Sequence, residues 1–89
     1  MRSILTIAVL QAALLVSALS YAGDDVTVEQ LPPAVRATVD RETQGGQIKD
    51  IERDREGGQV VYEVEFTLDG KAYELDIAED GKLLERRLD

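Results

Sequence analysis

The chain contains no cysteine, no histidine and no tryptophan, and its serines are confined to Ser3, Ser17 and Ser20. Beyond those first twenty residues, the side chains of a Ser/His or Cys/His nucleophile are therefore missing. A zinc site built from His and Cys is excluded for the same reason. Without cysteine there are no disulfides, so a folded domain must rely on its apolar core for stability.

Carboxylates are the reactive groups that remain, and they permit acid/base chemistry or the binding of hard cations through oxygen ligands. Neither activity has a matching motif. The segment from Asp76 to Gly81 combines acidic residues with a glycine, but it lacks the spaced ligands and the closing Glu of a calcium loop. The sequence therefore predicts a protein that is not an enzyme, with no catalytic residues, no cofactor and no dedicated metal ligands.

Positive charge is also scarce. The chain has 10 Lys and Arg residues against 18 Asp and Glu residues, which gives a net charge of −8. Arg2 is the one charged residue among the first 22, so its removal with a leader peptide takes the charge from −8 to −9. This balance argues against nucleic acid and against anionic membrane surfaces as partners. It permits basic protein surfaces or metal cations.

The first 22 residues have the pattern of a secretory signal peptide. A basic start at Arg2 precedes an apolar stretch from Ile4 to Leu19, and Ser20 and Ala22 place small residues where signal peptidase reads them. We predict that residues 1–22 are cleaved.

A membrane anchor is the alternative for this segment. A span needs about 20 clean apolar residues, whereas this stretch is shorter and contains Gln11. No cysteine follows it for lipid attachment. The product, residues 23–89, is therefore predicted to be a soluble periplasmic or secreted domain without stable membrane insertion.

One short helix is predicted after a loose leader that runs from Gly23 to Thr27. Pro32 and Pro33 suit the first turn of a helix, where their missing N–H groups cost nothing, and Gly45-Gly46 suits its end. The side chains that follow at helical spacing form a narrow stripe: Leu31, Val35, Thr38, Val39 and Glu42.

After Gln47 the chain alternates apolar and polar residues with the period of two that is typical of a half-buried strand. The clearest apolar positions are Val60, Tyr62, Val64, Phe66 and Leu68, followed by Tyr73, Leu75 and Ile77. Tight turns are predicted at Gly57-Gly58, Asp69-Gly70 and Asp80-Gly81. Ile48 and Ile51 are three residues apart, so both can face the core only if a bulge interrupts the first strand.

These elements predict an α+β fold in the order α-β-β-β-β. One N-terminal helix packs on a four-stranded antiparallel meander and covers its apolar face, while the other face meets water. Tyr62, Phe66 and Tyr73 fall on the covered face and are expected in the core. Arg53, Arg55 and Arg86 are expected at its rim, where their stems cover apolar surface while their charged ends reach water.

Four motifs along the hairpins carry a family resemblance: Tyr62-Glu63-Val64-Glu65, Asp69-Gly70-Lys71, Tyr73-Glu74-Leu75-Asp76 and Asp80-Gly81-Lys82-Leu83-Leu84. With a signal peptide and a short helix after paired prolines, they resemble the PepSY and PepSY-like family of exported bacterial domains. The resemblance implies a helix packed on an antiparallel sheet, similar to half of an exported β-lactamase inhibitor. It also implies a non-catalytic binding role, proposed for the family as the restraint of peptidases, and it brings no catalytic residues.

The hairpin registers gather the carboxylates on the uncovered face. One predicted row contains Glu52, Glu63, Asp76 and Glu85, and the next contains Asp50, Glu65, Glu74 and Arg87. Like charges that face one another across strands destabilise a sheet. In the predicted arrangement Arg87 relieves only one of the two rows.

This face is open to more than one interpretation. It can simply keep a small exported domain soluble and protect its sheet from aggregation. Alternatively, it binds a basic partner surface or divalent cations, through the candidate binding residues Glu52, Glu63, Glu65, Glu74, Asp76 and Glu85. The sheet edges are a further candidate site, since an extended peptide can add there as a strand. The sequence thus predicts an exported module that binds an envelope protein, a peptidase or a sensor, with cation binding or sensing as the alternative.

Overall fold

A computed structural model describes residues 23–89. Five strands form a single antiparallel sheet in sequential order, β1 (Asp24–Asp25), β2 (Gln47–Glu56), β3 (Gln59–Leu68), β4 (Lys71–Ala78) and β5 (Leu83–Leu88). A 3₁₀ turn (Val28–Gln30) and one helix, α1 (Pro33–Thr43), lie between β1 and β2. The predicted signal peptide, residues 1–22, lies outside the described residues. Within residues 23–89, no helix is long and apolar enough to cross a membrane.

The predicted α+β architecture is confirmed, with one strand more than expected. The segment predicted as a loose leader contains β1, where Asp24 faces Arg53 and Asp25 faces Glu52 of β2. The amide of Val26 continues this pairing by donating to the carbonyl of Ile51 at 3.0 Å. A strand of two residues is too short to show the alternation on which a sequence-based assignment depends.

Helix α1 begins and ends where the prolines and glycines predict. Pro32 is its N-terminal cap, and Gln44 closes it in the left-handed conformation with φ of 50°. The buried side chains of α1 are Val35, Thr38, Val39 and Thr43. The predicted stripe was therefore wrong at its last position, because Thr43 is the buried residue at the end of α1 and Glu42 is not.

The core lies between α1 and the covered face of the sheet. It is built from Leu31, Val35, Val39, Ile51, Tyr62, Val64, Phe66, Leu75 and Ile77. Tyr73 packs at the edge of this cluster, and its ring stacks on Phe66 with centroids 5.2 Å apart. Tyr62 and Phe66 are thus core residues and Tyr73 packs against them, as predicted.

The guanidinium of Arg86 fastens the end of α1 to β5. It donates to the carbonyl oxygen of Glu42 at 2.8 Å and to its Oε1 at 3.0 Å. The central carbon of this guanidinium, Cζ, lies 4.8 Å from the centroid of the Tyr73 ring, within range of a cation–π contact. Arg86 therefore lies at the rim of the covered face, as the sequence predicted.

Two bulges adjust the registers of the sheet. The first falls between Ile48 and Asp50, as the spacing of Ile48 and Ile51 predicts, and both isoleucines contact the core. The second lies on β5, where Leu84 is the extra residue between Leu83, which faces Ile77, and Glu85, which faces Asp76. The second bulge was not expected from the sequence.

The connection from β4 to β5 is longer than the predicted two-residue turn. β4 ends at Ala78 and β5 begins at Leu83, which faces Ile77, so residues 79–82 form the connection. Gly81 has φ of +93°, and a Cβ at this position would lie 2.6 Å from the carbonyl oxygen of Ala34. The hydroxyl of Thr38 donates to the Gly81 carbonyl at 2.5 Å. This turn is therefore packed tightly against the first turns of α1.

Candidate functional site

The uncovered face of the sheet carries the predicted acidic residues side by side. Glu63 faces Glu52 on one side and Asp76 on the other, and Asp76 in turn faces Glu85. In the neighbouring row Glu65 faces Glu74. The structure thus brings together all six candidate residues, on four strands and in the predicted registers. We call this surface the acidic face: Glu52, Glu63, Glu65, Glu74, Asp76 and Glu85.

Four further carboxylates that were not in the candidate set extend the acidic face. One of them, Asp50, faces Glu65 in the predicted second row. Asp25 on β1 faces Glu52, so one row of acids crosses all five strands. Asp54 and Asp89 add to it beside Glu63 and Glu74. Asp54 is two residues from Glu52 on β2, and strand alternation alone places it on the same face. Asp25 had no comparable sequence signal, because it depends on the unexpected strand β1.

The carboxylates approach closely enough to form triads. In each triad one carboxylate oxygen from every residue lies within 4.8 Å of the others. The four triads are Asp25/Asp50/Glu52, Glu52/Asp54/Glu63, Glu63/Glu74/Asp76 and Glu65/Glu74/Asp89. Because Glu52, Glu63 and Glu74 belong to two triads each, the triads form a continuous patch of negative charge.

Glu63, at the centre of this patch, binds its proton unusually strongly. A side-chain hydrogen bond to Asp54 is the largest cause, followed by burial and by the charges of Asp54, Asp76 and Glu74. Together they raise the pKa of Glu63 from 4.5 to about 8. A carboxylate pair can form such a bond only if one partner is protonated, so the centre of the acidic face keeps a proton to a higher pH than an ordinary glutamate does.

The neighbouring carboxyls shift in the same direction. Burial is the largest cause that raises the pKa of Glu74, and Asp76, Asp89 and Glu65 add to it while Arg87 opposes it. The pKa of Glu52 is raised by desolvation and then by nearby acids, of which Asp50 contributes most. Repulsion among like charges therefore extends along the patch and favours a bound proton or another cation.

Arg87 is the cation that partly balances this charge. Its guanidinium pairs with Glu74, with Glu85 at 3.1 Å and with Asp76 at 3.5 Å. The prediction that Arg87 relieves only one row was wrong, because its long side chain spans from β5 to acids of both rows. One oxygen of Asp76, Oδ1, is shielded from solvent and has no hydrogen-bond partner among residues 23–89.

A family model described as PepSY, the peptidase propeptide and YPEB domain, matches residues 18–87. This match covers most of the chain. The protein belongs to the PepSY family.

Membership confirms the resemblance that the hairpin motifs carry. No curated protein and no solved structure gives a significant match to this PepSY domain. Domains of the family are generally non-catalytic modules of the propeptide or inhibitor type, and they typically act outside the cytoplasm. For this PepSY domain, that assignment directs attention to surfaces that bind.

The acidic face can attract positive charge in two chemical forms. Lys and Arg side chains of a partner can pair with carboxylates that already repel one another. A hard divalent cation can replace the bound proton and collect oxygen ligands from one triad. Both events relieve the same repulsion, so both should weaken as the carboxylates are protonated.

Proposed function

We propose that this PepSY domain is an exported, non-catalytic binding module whose acidic face docks on a basic surface of an envelope protein. A peptidase is the first partner class, because the family comprises modules of the propeptide or inhibitor type. A sensor protein is the second. The observation that carries the proposal is the row of acids that crosses all five strands, in which Arg87 pairs with Asp76 and Glu85.

Repulsion between the facing carboxylates destabilises the sheet, so we infer that the acidic face serves binding and not the stability of the fold. Opposite charges across strands stabilise a sheet, whereas like charges that face one another destabilise it. The pairs Glu52–Glu63, Glu63–Asp76 and Asp76–Glu85 all place acid against acid. A basic partner that lies across this row would remove the repulsion at the moment of binding, and complementary charge would also speed the encounter.

The test compares two variants of equal net charge. In the first, the substitutions E63Q, E65Q, E74Q and D76N neutralise the centre of the acidic face. In the second, E29Q, D40N, E56Q and E79Q neutralise four exposed acids that belong to none of the triads. Both variants and the native domain are immobilised, and envelope extract is passed over them at low and at high salt.

The expected result is a partner, identified by mass spectrometry, that the native domain and the second variant retain and the first variant loses. High salt should release it. If it is a peptidase, its turnover of a peptide substrate should fall when the native domain is added. Equal capture by the two variants would exclude the acidic face and direct the search to the sheet edges or to α1.

Divalent-cation binding is the second candidate function, favoured by the triads and by the unpartnered Oδ1 of Asp76. Calcium is titrated into labelled protein while backbone amide shifts are followed by NMR. Binding should move amides of β2 to β4 around Glu63 and should tighten as the pH rises through about 8, where Glu63 loses its proton. No response at millimolar calcium would remove this candidate.

Export rests on the leader, and we propose cleavage after Ala22. The released protein should then begin at Gly23 and lack Arg2. Intact-mass measurement of the chain recovered from the periplasm or the medium checks this. A full-length chain in the membrane fraction would instead favour the anchor.

A further inference from the structure

The outer edge of β5 is open in the described part of the chain. β5 pairs with β4 on one side, and no strand of residues 23–89 pairs with its other side. Leu84 and Leu88, the two large apolar side chains that these residues leave exposed, both belong to β5 and are 46% and 59% exposed. An open edge that presents apolar side chains favours the addition of a further strand.

The hydrogen-bond pattern shows which backbone groups of β5 point outward. The amide of Asp89 donates to the carbonyl of Ala72 at 2.9 Å, and this bond lies just beyond the facing pair Tyr73–Leu88. Tyr73 and Leu88 therefore face one another without exchanging backbone hydrogen bonds. Because bonded and non-bonded pairs alternate in an antiparallel ladder, Arg87 and Glu85 are the residues of β5 that bond to β4, opposite Glu74 and Asp76. The N–H and C=O groups of Arg86 and Leu88 then point away from β4, and Leu84, the bulged residue, has no facing residue on β4.

We propose that β5 pairs with β5 of a second copy, antiparallel and about a two-fold axis at Arg86. In this register the outward groups of Arg86 bond to those of Arg86 in the other copy. Leu84 of each copy faces Leu88 of the other, so the two exposed apolar side chains cover one another. Glu85 faces Arg87 twice, which places opposite charges across the new ladder on the side of the acidic face.

Neighbouring registers lack this complementarity. A shift by two residues keeps outward groups opposite one another, but it places either Glu85 against Glu85 or Arg87 against Arg87. Like charges at directly facing positions disfavour both arrangements. The order Leu-Glu-Arg-Arg-Leu over residues 84–88 is thus self-complementary in the one register centred on Arg86.

The two Arg86 side chains that meet at the two-fold axis carry like charges, but each is already paired with an acid of its own chain. The Arg86 guanidinium is folded back from the edge and pairs with the Glu42 carboxylate at 3.0 Å while it lies over Tyr73. Its backbone therefore remains available at the edge while its charge is held against α1. Two copies of Arg86 can face one another across the axis without exposing unpaired guanidinium groups.

The pair forms one sheet of ten strands. A two-fold axis perpendicular to the sheet keeps the two acidic faces on the same side, so they join into a single surface. An interface of one short strand is small, which makes the dimer weak and reversible. This assembly does not depend on the proposed docking function, although it would double the surface offered to a basic partner.

Sedimentation equilibrium from micromolar to millimolar concentration tests the proposal on residues 23–89, the chain expected after cleavage of the leader. The native chain should show a reversible monomer–dimer equilibrium. E85R places Arg against Arg87 of the other copy in both outer pairs, so the dissociation constant should rise at least about tenfold. Within its own chain the new arginine faces Asp76, so the monomer should keep its fold. E29R, at an exposed acid that belongs neither to β5 nor to the triads, is the matched control and should dimerise like the native chain.

A mixing experiment gives the sharper result. E85R has two arginines and R87E two glutamates at the outer positions, so each should be monomeric alone, whereas an equimolar mixture should form a heterodimer. Circular dichroism first establishes that R87E folds.

NMR provides a readout that is independent of R87E. In a mixture of labelled and unlabelled native protein, an isotope-filtered spectrum should contain an intermolecular contact between the Hα protons of Glu85 and Arg87. A native chain that is monomeric at millimolar concentration overturns the proposal and leaves the edge to a strand of a different protein. Dimers that E85R leaves unchanged, or contacts that indicate another register, would overturn it as well.

Discussion

Glu63 on β3 and Asp54 on β2 bring carboxylate oxygens within 4.8 Å of one another at the centre of the acidic face. A hydrogen bond between these carboxyl groups is the largest of the effects that raise the pKa of Glu63 from its ordinary value of 4.5 to about 8. Between these two values the folded protein holds a proton that the unfolded chain releases. Folding and protonation are therefore linked at this pair.

The linkage predicts that the domain loses stability as the pH rises. The stability that Glu63 contributes is complete below a pH of about 4.5 and is lost as the pH passes through about 8, because the folded state binds the extra proton. After allowance for solvent screening, we expect the free energy of unfolding to fall by on the order of 1 kcal/mol from about pH 5 to about pH 9. Urea denaturation at a series of pH values measures it.

Glu63→Gln isolates this effect, because glutamine stays neutral over the whole range. The variant should flatten the pH dependence and should exceed the native protein in stability at about pH 9. Glu29→Gln removes an exposed acid outside the triads and should leave the slope unchanged. A native profile that is flat, or that rises with pH, would contradict the protonated Glu63–Asp54 pair.

Arg87→Gln should destabilise the domain more than the loss of an ordinary surface charge. The arginine pairs with Glu74, Asp76 and Glu85, and the side chains of Glu74 and Asp76 are only 15% and 18% exposed. Its removal leaves these half-buried acids without a cation, so we expect a loss of about 1–2 kcal/mol. The control is Arg41→Gln, since Arg41 is 63% exposed and, in the described part of the chain, pairs only with Glu42. It should change stability by less than about 0.5 kcal/mol. Equal losses, measured by denaturation near neutral pH, would show that the acids do not depend on Arg87.

The sequence was sufficient to predict the hairpins because each one combines alternation with a glycine turn. Two predicted registers, Glu63–Asp76 and Glu65–Glu74, follow directly from a two-residue turn at Asp69-Gly70, and the structure has both. The Asp76–Glu85 register was correct for a different reason. The β4–β5 connection is longer than predicted, but the bulge at Leu84 compensates for it and restores the pairing.

The parts that the sequence did not predict depend on contacts between distant segments. Asp25 joins the acidic face only because Val26 bonds to Ile51, which is a tertiary contact with no local pattern. Arg87 reaches both rows because its side chain is long, and strand alternation assigns residues to faces without describing that reach. The proton on Glu63 follows from the approach of Asp54, a distance that spacing along one strand does not give.

Gly81→Ala should be among the most damaging single-methyl substitutions in the described domain. The new Cβ would lie 2.6 Å from the Ala34 carbonyl oxygen, and φ of +93° strains any side chain. Since Thr38 of α1 also bonds to the Gly81 carbonyl, displacement of this turn would loosen the contact between the helix and the sheet. We expect a loss of about 3 kcal/mol or more in the free energy of unfolding.

Gly58→Ala separates backbone strain from the clash with α1. Gly58 has φ of +82°, but a Cβ there would have no atom of residues 23–89 within 4 Å. Its cost should therefore be limited to strain, about 1 kcal/mol, so the difference between the two variants measures the packing of the turn against the helix. Denaturation of both variants under identical conditions gives this difference. If Gly81→Ala cost no more than Gly58→Ala, the helix would not rest on the β4–β5 turn, and its close contact with the sheet would have to come from the core side chains and from the bonds between Arg86 and Glu42.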